Sequence, residues 1–176
     1  MSAGVEISVL AAPLPDAALD QLAAVLVDCV EGGASVSFMA PFSQADGLAF
    51  FRSVANSVAA GDTVLLVAKL DGNIVGTVQL GLAMPPNQSH RADIKKMLVH
   101  RTMRGCGIGA LLMARVEDEA KRCGRWLLVL DTVPGENGYR LHKRVGWTEC
   151  GLIPNYAMFP DGRLCDAALF WKRLDQ

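Results

Sequence analysis

The chain is 176 residues long, with 51% hydrophobic and 20% charged residues, which suits a single domain with an ordinary core and excludes a disordered or low-complexity chain. Seventeen Lys and Arg against eighteen Asp and Glu leave a formal net charge of −1, so there is no global positive excess to grip nucleic acid or an anionic membrane. Apolar runs such as Val64 to Ala68 and Leu127 to Leu130 fall far short of the roughly 20 residues that cross a bilayer.

The start, Met1 to Glu6, lacks the basic and apolar regions of a secretory signal, which predicts a cytoplasmic protein. Cys29, Cys106, Cys123, Cys150 and Cys165 form no C-x-x-C pair, and His90, His100 and His142 have no ligand spacing, so neither a disulfide framework nor a metal is expected.

Val5 to Leu10 alternates apolar and polar residues and predicts a first strand. After Pro13 and Pro15, Leu19, Leu22, Ala23, Leu26, Cys29 and Val30 recur at helical spacing, with Asp16 as N-cap and Gly32-Gly33 as the stop. Ser43 and Asp46 predict a capping box for a second helix, which carries Leu48, Phe51, Val54, Ala55 and Val58 up to Gly61. Between the two helices, Gly33 to Pro41 is a loop that carries Phe38 and Met39, side chains poorly placed in water and better suited to facing a ligand.

Thr63 to Leu70 and Ile74 to Leu82 predict a hairpin around Asp71-Gly72-Asn73, and Arg91 to Val99 a further strand. A helix from Ile108 to Cys123 follows, with Ile108, Leu112, Val116, Ala120 and Cys123 on one face and the pairs Glu117/Lys121 and Asp118/Arg122 on the wet side. Trp126 to Leu130 is a buried-type strand ending at Asp131, Glu136 to Val145 a short helix, and Trp147 to Gly151 and Leu164 to Leu174 the last strands, with a turn at Pro160 to Arg163. This order, β-α-α-β-β-β-α-β-α-β-β, predicts one α/β domain over 1–176, a single sheet with helices on both faces.

The informative segment is the glycine-rich turn Arg104-Gly105-Cys106-Gly107-Ile108-Gly109-Ala110, set between a strand and a helix. Glycines there let an anion approach backbone N–H groups, and the helix dipole favours phosphate, so the turn reads as a diphosphate site. Gly105-x-Gly107-x-x-Ala110 also satisfies a dinucleotide fingerprint, with Asp131 about 20 residues on. However, His100 to Arg104 separate the turn from its strand, and too few residues follow for further βαβ units. A Walker loop is excluded because no Gly-Lys-Ser/Thr is present.

As Arg104-x-x-Gly107-x-Gly109, the turn resembles the signature of the GNAT superfamily of acyl-CoA N-acyltransferases, and the element order resembles that family over nearly the whole chain. Leu141-His142-Lys143-Arg144-Val145-Gly146-Trp147 is similar to its second motif, and Gly32 to Val36, Phe38-Met39 and Pro154 to Leu164 resemble the tabtoxin-resistance acetyltransferase group. The resemblance implies a mixed, mostly antiparallel sheet whose central strands splay. It implies acetyl-CoA as co-substrate and no metal, with Arg104, Gly105, Cys106, Gly107, Ile108, Gly109 and Ala110 at the pyrophosphate. Met97, Leu98 and Val99 would pair with the pantetheine arm, with Asn137 beside it, and N–H groups near Leu98 would polarise the carbonyl. A small-molecule amine, a toxin or amino-acid-like compound, would bind between the loop Gly33 to Pro41 and the tail Asn155 to Asp161, with Ser35, Phe38, Met39 and Tyr156 as contacts. A non-catalytic acyl-CoA sensor and a protein or peptide N-acetyltransferase are the alternatives, as monomer or homodimer.

Direct acetyl transfer needs a neutral amine, donors for the developing oxyanion and a proton for the thiolate. His142 stands where the family commonly has a thiolate-protonating tyrosine; an imidazolium could donate that proton, whereas the plainer reading is a helix-surface histidine between Lys143 and Arg144. Asp93 and Asp131 are the carboxylates expected to reach the cleft, and Cys106 is expected to be passive. Arg91, Lys95 and Lys96 read as a solvated strand face or as phosphate partners.

Overall fold

The computed structural model describes residues 4–174. Its elements are β1 (Glu6–Leu10), α1 (Asp16–Glu31), α2 (Gln44–Ala59), β2 (Thr63–Leu70), β3 (Asn73–Gly81), β4 (Arg91–Val99), α3 (Ile108–Arg122), β5 (Leu127–Thr132), α4 (Asn137–Arg144), β6 (Thr148–Met158) and β7 (Leu164–Arg173). This is the order read from the sequence. The strands form one sheet, β1-β2-β3-β4-β5-β7-β6, in which β4 and β5 are parallel and every other neighbouring pair is antiparallel.

The sheet is covered on both faces, so its central strands read as apolar runs instead of alternating patterns. In β2, Leu66 and Ala68 point into the cluster under α3 and α4, while Leu65 and Val67 point into the cluster under α1 and α2. Phe51 of α2 and Leu22 and Leu26 of α1 are fully buried in the second cluster. No helix among the described residues is long and apolar enough to cross a membrane.

Several local expectations hold and others are corrected. Ser43 caps α2 in a reciprocal box with Asp46. Asp16 is the first residue of α1 and does not cap it; Pro15 takes the cap position, its fixed φ suiting the turn. On α3, Cys123 is exposed just past the helix end. Glu117 is not engaged by Lys121 on the wet side; it accepts hydrogen bonds from Lys172 of β7 and Trp147 Nε1, which tie α3 to the sheet. The longest difference is in β6, which continues to Met158 through two bulges and absorbs the residues expected to be a loop. Asn155 takes a left-handed φ of 53° in the second bulge, and its N–H donates to Asp166 Oδ1 at 2.9 Å.

One bulge positions the site. In β4, Lys95 pairs with Gln79 but Leu98 pairs with Thr77, so Lys96 and Met97 together oppose Val78. The side chains change faces there: Ala92 and Ile94 pack on the α3 side, Leu98 on the α1 side. Lys96 holds the bulge at φ 48°, a left-handed conformation rare for a lysine.

Candidate active site

β4 and β5 pair only over Arg91↔Leu127, Ala92↔Leu128 and Asp93↔Val129. From Ile94 onward they diverge, and the β5-facing backbone edge of β4 lies open along a cleft of about 1230 Å³. Met97, Leu98 and Val99 line this cleft; Leu98 is 2% exposed, which anchors the open edge to the core under α1.

Beyond β4 the turn is held in place before the glycines begin. Asp28 of α1 accepts from the Arg101 N–H at 2.7 Å and from Arg101 Nε at 2.8 Å. Burial pushes the Asp28 carboxyl up, but the Arg101 hydrogen bonds and the nearby His100 and Arg101 outweigh it and leave its pKa below the ordinary carboxylate value. Arg104 folds back, its Nε donating to the Val99 carbonyl at 3.2 Å. The backbone N–H groups of Gly105 to Ala110 make no hydrogen bond to the protein among the described residues. Six donors in succession at the start of α3 form an anion cradle.

The two later glycines serve different ends. Gly107 caps α3 at φ 80° and has open space where a side chain would begin. Gly109 is packed: a Cβ there would lie 2.8 Å from Leu141 Cδ2 of α4. The second glycine therefore permits the close approach of two helices, not the approach of an anion. Cys106, expected in the cradle, is exposed, points its thiol back to the Arg104 carbonyl at 3.8 Å, and does not line the cleft.

At the other end of the cleft, the loop before α2 and the end of β6 meet, as the sequence reading required. Ser35 Oγ donates to the Met158 carbonyl at 2.7 Å, and the Ala40 N–H donates to the Pro160 carbonyl at 3.0 Å. Ser35, Phe38, Met39 and Tyr156 all line the cleft. Phe38 is fixed by Phe42 and Phe50, with ring centroids 4.7 and 5.1 Å away.

The titratable groups fall differently from the sequence reading. Asp131, at the end of β5, lines the cleft, whereas Asp93 does not: it sits where β4 and β5 are still paired and accepts from Arg91 Nη1. Asn137 lines the cleft at the start of α4, its Oδ1 accepting from Arg140 Nη2 at 2.9 Å. His142 is no surface histidine. It is 4% exposed, packed beside Trp147 and Phe170, and borders the cleft wall. Its Nδ1 is buried without a partner, and desolvation pushes its pKa down to about 4. Burial thus favours the neutral imidazole near pH 7, which argues against His142 acting as an imidazolium acid.

Lys96 lay outside the expected acceptor set. The structure turns it into the cleft, where Nζ donates to Ser37 Oγ at 2.9 Å and lies 5.7 Å from the centre of the Phe38 ring. Period-two alternation could not reveal this, because the bulge is set by backbone geometry that no residue of the segment advertises.

Comparison with known proteins places this geometry. The chain is 30% identical over 105 residues to an IAA acetyltransferase of Azospirillum brasilense, covering 59% of this chain and 67% of the relative. It is 32% identical over 114 residues to an L-methionine sulfoximine/L-methionine sulfone acetyltransferase of Salmonella typhimurium, covering 64% of this chain and 66% of the relative. It thus spans about two thirds of the length of each. The fold superposes with a TM-score of 0.79 on yncA from Salmonella typhimurium, solved with its cofactor acetyl-CoA, at 20% identity and with 98% and 95% of the two chains covered. Residues 34–147, from the loop before α2 through the glycine turn to Trp147, match the acetyltransferase (GNAT) family model, and the chain belongs to that family.

Proposed function

We propose that this protein is an acetyl-CoA-dependent N-acetyltransferase that moves an acetyl group directly to the amine of a small, amino-acid-like molecule. The observation that carries the reading is the run of six open N–H donors from Gly105 to Ala110, set directly beyond an unpaired strand edge. A pyrophosphate fits the first and an extended amide-bearing arm the second. The Salmonella relative named for methionine sulfoximine and methionine sulfone acetylation supports an amino-acid-like acceptor.

Acetyl-CoA supplies the thioester; the chain's residues bind, orient and move a proton. Gly105 to Ala110 would hold the pyrophosphate, and the Met97–Val99 edge would align the pantetheine arm and direct N–H groups at the carbonyl oxygen as negative charge develops there. Asp131 would take a proton from the acceptor ammonium, freeing the nitrogen lone pair. As the C–N bond forms and the C–S bond breaks, the C–S electron pair leaves on sulfur and the second nitrogen proton passes to water. A thiol of roughly cysteine's acidity, pKa about 8.5, is a competent leaving group, so neutral His142 need only wall the cleft.

The test is thiol release from acetyl-CoA over a panel of amino acids, polyamines, lysine peptides and L-methionine sulfone. Turnover of an amino-acid-like amine is the expected result. Tight acetyl-CoA binding with no turnover on any acceptor would favour a sensor, and turnover on lysine peptides alone would favour a protein acetyltransferase.

A further inference from the structure

Lys96 is in a location that neither a solvated strand face nor a nucleotide phosphate partner explains. Its Nζ lies against Ser37, Phe38 and Phe50 on the acceptor side. The phosphate turn begins only past the end of β4; the intervening residues Met97 to Val99 span about 10 Å at the rise of a strand. An ammonium has three donors. One is used by Ser37, and no carboxylate lies within ion-pair distance of it among the described residues. Burial lowers the Lys96 pKa, Asp131 across the cleft pulls it back up, and Lys95 lowers it again.

Two features show that the position is built. The backbone at Lys96 is held at φ 48°, a left-handed conformation that is unfavourable for a non-glycine residue. Two aromatic rings, Phe38 and Phe50, lie 5.7 and 6.0 Å from Nζ, close enough to stabilise a cation. A lysine so placed, with one donor on Ser37, has two left to offer a ligand in the cleft.

Resting on the reading of the cleft as a coenzyme A-dependent acetyltransferase site, we propose that Lys96 selects the acceptor by pairing with a carboxylate on it, so that the substrate is a zwitterion. Asp131 would face the reacting ammonium and Lys96 the carboxylate. Opposite charges on the two walls of one cleft would thus orient the acceptor before the thioester arrives. A simple amine would satisfy Asp131 and leave Lys96 unpaired.

The experiment uses the purified full chain saturated with coenzyme A. Thermal stabilisation is measured with the twenty proteinogenic amino acids and L-methionine sulfone, each beside its carboxamide, and acetyl transfer is then compared for each acid and amide pair. At least one acid should stabilise the complex where its amide does not, and the acid should have a KM about 10- to 100-fold lower, the worth of a charge-assisted pair. Lys96→Met should bring that ratio towards one, and Lys96→Arg should retain most of it. Wild-type protein that treats acid and amide alike, a panel in which no acid stabilises the complex, or a Lys96→Met variant that keeps the preference would each overturn the proposal. Acetyl-CoA titration on the wild type reads the parent assignment separately: failure there sinks the coenzyme A site, whereas failure in the acid and amide comparison with normal acetyl-CoA binding sinks only the role of Lys96.

Discussion

The two ends of the cleft are built by different means. The glycine-turn end, proposed to take coenzyme A, is made of backbone: an open strand edge, six consecutive N–H groups, and a helix start whose glycine takes φ 80°. The end proposed to take the acceptor is lined by side chains from segments far apart in the chain, with the Ser35 hydroxyl bonded to the Met158 carbonyl and Ser37 to Lys96. Backbone donors cannot be exchanged by substitution, so the first end suits a constant ligand. Side chains can be replaced one by one, so the second suits a ligand that differs among relatives.

The comparison breaks most sharply at Gly107. Gly107→Val would force a β-branched residue into a left-handed cap and put its methyls in the open space before the cradle. Losing two charge-assisted hydrogen bonds of about 2 kcal/mol each predicts a roughly 1000-fold weaker acetyl-CoA affinity by calorimetry. Gly109→Val should act by another route, because its Cβ meets Leu141: about 1 to 3 kcal/mol of lost stability through overpacking. Should Gly109→Val weaken binding as much as Gly107→Val while melting normally, the division of labour between the two glycines is wrong.

The same contrast accounts for what the sequence discloses. Strand, turn and helix around Gly105 to Ala110 are local, and local chemistry writes them in a contiguous segment. The meeting of Gly33–Pro41 with the end of β6 follows only from the family resemblance, and the structure explains it through two hydrogen bonds that span more than a hundred residues of chain. Three features escape a sequence reading altogether: the β4 bulge that turns Lys96 inward, the register of β6 past Gly151, and the burial of His142. All three depend on how an element is rotated against its neighbours. His142 misleads because its flanking Lys143 and Arg144 signal a wet helix, whereas α4 is short and the one turn facing Phe170 is dry.

Chemistry at the acceptor end should be the next most sensitive. Asp131→Asn keeps the shape but loses the proposed base, and kcat at neutral pH should drop about 100-fold with acetyl-CoA affinity retained. A drop confined to KM would make Asp131 a binding group only. Phe38→Ala removes one ring of the Phe38, Phe42 and Phe50 cluster. It should raise the acceptor KM about tenfold and shift that of acetyl-CoA far less; equal shifts in both would move the loop to the coenzyme A side.

The smallest effect on activity is expected at the residue that looked most catalytic. His142 is 4% exposed with its pKa pushed down to about 4 by burial, so it carries no charge when the thiolate leaves at neutral pH. His142→Phe keeps an aromatic ring, somewhat larger, and removes a buried nitrogen that has no partner, and kcat at pH 7 should stay within about threefold of the parent, a difference below 1 kcal/mol. The effect on stability should be larger. The unfolded chain takes up a proton near the ordinary histidine pKa of 6.5, while the native chain resists until about 4, so between these values acid favours unfolding. The imidazole thus costs nothing above pH 6.5 and about 3 kcal/mol once the pH has fallen to 4. Denaturant unfolding at pH 7 and pH 4.5 should show His142→Phe losing less stability on acidification than the parent. If instead kcat falls more than about tenfold while the stability profile is unchanged, the neutral imidazole touches the reacting atoms and is not merely a dry wall of the cleft.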